Sequence, residues 1–63
     1  MRTSERLEKI AEAFIAARAD LRRLMVDLPV GATLEILDSV EAREGHNIAL
    51  INDEARELRR RND

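Results

Sequence analysis

The sequence predicts an all-α fold, an antiparallel helical hairpin of two long helices that dimerises into a four-helix bundle. Three observations carry that expectation. Leu7, Ile10, Phe14, Ala17, Leu21, Leu24 and Leu28 recur at alternating spacings of three and four, the period that keeps one side of a helix against a partner helix. Pro29 and Gly31 follow at once, a pair that stops a helix and opens a turn. A second apolar stripe, Leu37, Val40, Ile48, Ile51, Ala55 and Leu58, then falls within one third of a helical wheel drawn over residues 33–60.

The first helix is expected over residues 4–27. Thr3 or Ser4 can cap it, and Glu5 places an acid in its first turn, where the helix dipole favours one. Alanines at 11, 13, 16 and 17 raise helix propensity and allow close interhelical approach. The turn is expected at 28–32, because proline pushes Leu28 out of the helical region and Gly31 supplies backbone freedom.

The second helix is expected over residues 33–60, with Thr33 as its cap and Glu35 in its first turn. Glu44, Gly45, His46 and Asn47 interrupt its apolar stripe. Either the helix runs through with a polar layer at its middle, or it breaks at Gly45 and restarts on Asn47. The apolar phase is preserved across the gap, which favours continuity; one glycine inside a helix costs only about 1 kcal/mol against alanine. In a hairpin turning near Val30, residues whose numbers sum to about 60 lie side by side. Phe14 is then expected opposite Gly45 and His46.

Size makes association the expected source of stability. A chain of 63 residues buries only about 60% of its unfolded surface, so a lone subunit is marginal. With no cysteine, neither a disulfide nor a thiolate metal site can supply the difference. Hydrophobic residues are 44% of the chain and charged ones 38%, with one aromatic, the composition of long helices rather than of a sheet. No apolar run approaches the length of about 20 residues that a bilayer demands. One domain spanning 1–63, cytoplasmic and without a membrane partner, is the expectation.

No catalytic constellation emerges. Ser4 and Ser39 have no histidine nearby, the two glycines are isolated, and His46 stands alone among residues of metal-binding type other than carboxylates. Glu44 and His46 are two apart and point to different faces, so the Glu-x-x-His pattern of di-metal bundles is missing. An enzyme, a cofactor, a metal and a small-molecule substrate are therefore not expected. The expected function is that of a small interaction or regulatory protein acting through helix–helix association, with itself or with another helical protein.

Charge is unevenly placed. Arg56, Arg59, Arg60 and Arg61 lie at one end of the chain, and a hairpin brings them beside Arg2, Arg6 and Lys9. These seven are the candidates for contact with nucleic-acid phosphates or an acidic partner. Glu5, Glu8, Asp53, Glu54, Glu57 and Asp63 share the same end, and arginines near a helix C-terminus also suit the dipole.

A different reading comes from residues 23–60. Val26-Asp27-Leu28-Pro29, then Ala42-Arg43-Glu44-Gly45, then Asn47 through Leu58, resemble the ribbon-helix-helix DNA-binding family. The resemblance implies a strand over residues 23–29 with Arg23, Met25 and Asp27 facing the groove, and phosphate contact at Gly45 and Asn47. It implies a dimeric transcriptional regulator or antitoxin. Leu24 and Leu28 belong to the helical seam as well, so the conformation of residues 23–29 separates the two readings.

Overall fold

Among the described residues there are two helices, α1 over Thr3–Val26 and α2 over Ala32–Arg60, packed against each other as a hairpin. The computed structural model describes residues 2–61; Asp63, counted above among the acids of the terminal cluster, lies outside them. The hairpin measures 48 × 16 × 10 Å. No strand occurs among the described residues. The strand implied by the ribbon-helix-helix resemblance is therefore absent, because Arg23, Leu24, Met25 and Val26 continue α1. A chain already committed to a heptad gains a hydrogen bond for each residue it adds to the helix.

The helix starts differ from expectation. Arg2 occupies the cap position of α1 and Gly31 that of α2, neither with a side-chain cap bond, so Thr3, Ser4 and Thr33 lie inside the first turns. Ser4 is drawn in because its side chain is buried between the helices. Glu5 and Glu35 do sit in first turns, where the exposed amide ends favour an acid.

At its other end α1 closes on Asp27, whose amide donates to the Leu24 carbonyl at 3.1 Å, while the Leu28 amide donates to Met25 at 3.2 Å. Pro29 has no amide to extend this ladder. Gly31 is extended (φ 166°), and an added Cβ would meet nothing within 4 Å. The turn therefore needs no glycine at that position, contrary to the expectation. α2 runs without a break through Gly45.

Candidate interaction surface

The line along which α1 meets α2 is rotated from the stripe the heptad marks. Leu7, Phe14, Leu21 and Leu28 are half-buried, but Ile10, Ala17 and Leu24 are exposed. Their places are taken by Ser4, Ala11, Arg18 and Met25, one residue further round, of which Ser4 and Ala11 are fully buried. On α2 the contact runs through Leu34, Leu37, Glu41, Gly45, Ile48 and Ala55, while Val40 stays exposed and Ile51 and Leu58 half-buried. The physical reason is proximity. Small side chains on the contact line let two helix axes approach closely, and the larger ones then fill the flanks.

The atoms nearest the open side of Gly45 belong to Arg18. A Cβ at Gly45 would lie 2.7 Å from Nη2 of Arg18 and 2.9 Å from its Cζ. The missing side chain makes room for a guanidinium laid across α2. Arg18 Nε donates to the Glu41 carbonyl at 3.1 Å and lies 2.8 Å from the Glu41 carboxylate, which Arg22 Nε also reaches at 2.7 Å. The hydrogen bond from Arg22 and the charge of Arg18 hold the Glu41 carboxyl below its ordinary value of 4.5, against an opposing effect of burial. Sequence reasoning missed this network. Its one visible trace was Gly45, a helical glycine kept where a neighbour needs the space.

Ile10, Leu24, Ile36 and Val40 are 45, 52, 63 and 40% exposed, a large amount for side chains of that size on so small a chain. They share one side of the molecule. At 100° per residue, Ile10, Ala17, Leu21 and Leu24 lie about 85° to one side of the contact line of α1. Ile36, Val40, Ile51 and Leu58 lie about 90° to the same rotational side of the line of α2. Because the helices run in opposite directions, equal rotations bring both stripes onto the same face of the hairpin. Glu44 and Asn47 interrupt that face near its middle, with Asn47 Nδ2 donating to Glu44 Oε1 at 3.4 Å.

The terminal arginines are engaged locally. Arg59 pairs with Glu8 across the helices, Arg56 with Asp53, Arg60 with Glu57, and Arg61 lies 3.7 Å from both Glu54 and Glu57. Arg2, Arg6 and Lys9 are exposed beside them. The hairpin does gather the seven basic residues at one end, but a phosphate would have to compete there with acids already in place. At the hinge a shallow groove of about 570 Å³ is lined by Arg22, Met25, Val26, Leu34, Glu35 and Asp38.

Among the described residues no three His, Asp or Glu side chains are grouped to hold a metal ion, and no helix is long and apolar enough to cross a membrane. What fold and surface define is a class, the two-helix hairpin with exposed apolar side chains beside its own contact line. No family model, curated protein or solved structure matches the chain.

Proposed function

We propose that this chain is a non-enzymatic interaction module that works by helix–helix association and forms a homodimer, a four-helix bundle with a regulatory role. The observation that carries this reading is the apolar face shared by both helices beside their own contact line. The exposed surface of the chain is large enough for a second copy. The chain exposes 4888 Å², whereas a compact monomer of 7.2 kDa exposes about 4100 Å² by the usual scaling of surface with mass. The excess, about 800 Å², belongs to the whole elongated hairpin and is large enough to supply the area that one partner contributes to an interface of standard size. Two-helix hairpins commonly cover such stripes by pairing.

Sedimentation equilibrium or light scattering tests the reading. The expected particle has twice the 7.2 kDa chain mass at micromolar concentration, and Ile10→Lys with Leu24→Lys should abolish it. A stable, fully helical monomer at that concentration refutes the homodimer.

A further inference from the structure

The geometry points to an orientation for this dimer: two copies join by their apolar faces with hinges at opposite ends, α1 against α1 and α2 against α2. This rests on the self-association proposed above and goes further by naming which side chains meet.

Two arrangements bring one apolar face onto another by a two-fold axis. With hinges at the same end, α1 of each copy lies against α2 of the other, at the height where residue numbers sum to about 61. With hinges at opposite ends each helix meets its own counterpart, reversed. The polar pair in the middle of the face discriminates between them. In the same-end arrangement Glu44 faces Ala17 and Asn47 faces Phe14, so a carboxylate and an amide lose water against apolar partners.

In the opposite-end arrangement the two-fold axis passes between residues 44 and 47 of α2. Glu44 of one copy then meets Asn47 of the other, twice, and the amide can donate to the carboxylate. A single polar layer of this kind fixes register and orientation in helical assemblies. The same axis crosses α1 between Phe14 and Ala17, setting the largest side chain of the stripe against a small one. Val40 meets Ile51 in the adjoining layer.

Charge favours the same choice. Residues 20–44, the hinge end, hold six acids and three bases, while residues 2–9 and 53–61 hold seven bases and five acids. Opposite-end pairing lays the basic end of each copy beside the acidic hinge of the other, and same-end pairing sets like ends together.

A nitroxide at Val30→Cys reads the orientation directly. The native chain has no cysteine to compete, and Val30 is 93% exposed in the turn. Pulsed dipolar spectroscopy on the dimer should show the two labels about 44 Å apart, the helical rise accumulated on both sides of the axis. Asn47→Leu should add a short-distance population, since the polar layer no longer selects. A dimer whose labels lie within about 20 Å, the span of adjacent helices, overturns this orientation and leaves self-association standing. A monomer overturns both and leaves the face to a different helical protein.

Discussion

The two halves of the hairpin hold together by different means. Toward the termini the contact line is made of small or aliphatic groups, and the four buried residues among those described, Ser4, Ala11, Ile48 and Ala55, lie there. Toward the hinge no residue is fully buried. Arg18, Glu41 and Arg22 form an ion-pair network across the gap, and a groove opens beside Met25 and Leu34. Outside the contact line the terminal end has its own ion pair, Arg59 with Glu8. The same two helices thus give a packed end, whose contact line is buried, and a charged end, whose contact line is bridged by ions. Side-chain size at the contact line decides which, since a guanidinium between helices needs space that a methyl does not.

The sharpest way to break the contrast is Ile48→Ala. It removes the one large side chain buried at the packed end and should cost about 2–5 kcal/mol in chemical or thermal unfolding followed by circular dichroism. Loss of less than about 1 kcal/mol would show that the packed end is not the stabilising one. Ala11→Leu attacks the same end by overpacking. It should destabilise by about 1–3 kcal/mol, whereas Leu at the exposed Ala17 should leave the hairpin contact intact.

Gly45 offers a comparison inside the charged end. In an Arg18→Ala background, Gly45→Ala should gain close to the full helix-propensity difference of about 1 kcal/mol. With Arg18 present the gain should shrink, because the new methyl displaces the guanidinium. Equal gains in the two backgrounds would mean that Arg18 does not rest on Gly45.

The charged end should also respond to acid. The Glu41 carboxyl is held below its ordinary 4.5, so the folded state binds its proton less readily than the unfolded chain. Its contribution is complete above that value and is lost as pH falls through the lowered one. Glu41→Gln should therefore flatten the acid limb of the stability profile below pH 4.5. An unchanged acid limb would show that the network carries no pH-dependent stability. The smallest effect belongs to the terminal arginines. Arg59→Ala removes an exposed pair with Glu8 and should cost about 0–1 kcal/mol, diminishing further in salt.

The elements were legible because their signals are local. Three-four spacing, alanine content and Pro29 each act within one helical turn, and together they set two helices and the place where the chain reverses. Continuity through Gly45 was legible for the same reason, since the apolar phase survives the polar interruption. The caps were not. Thr3, Ser4 and Thr33 are good capping residues in isolation, but Ser4 is buried between the helices, and that depends on the other helix.

By itself the sequence determined that this chain makes two amphipathic helices joined at Pro29, each with a stripe wider than one helix can cover. Only the tertiary structure decided how each helix is turned about its own axis. A broad stripe leaves that rotation free by roughly a quarter turn, about 90°, and the choice falls where small groups let the axes come closest. Ser4, Ala11 and Ala55 went inward for that reason, Arg18 took the space at Gly45, and Ile10, Leu24, Ile36 and Val40 were left together on one open face.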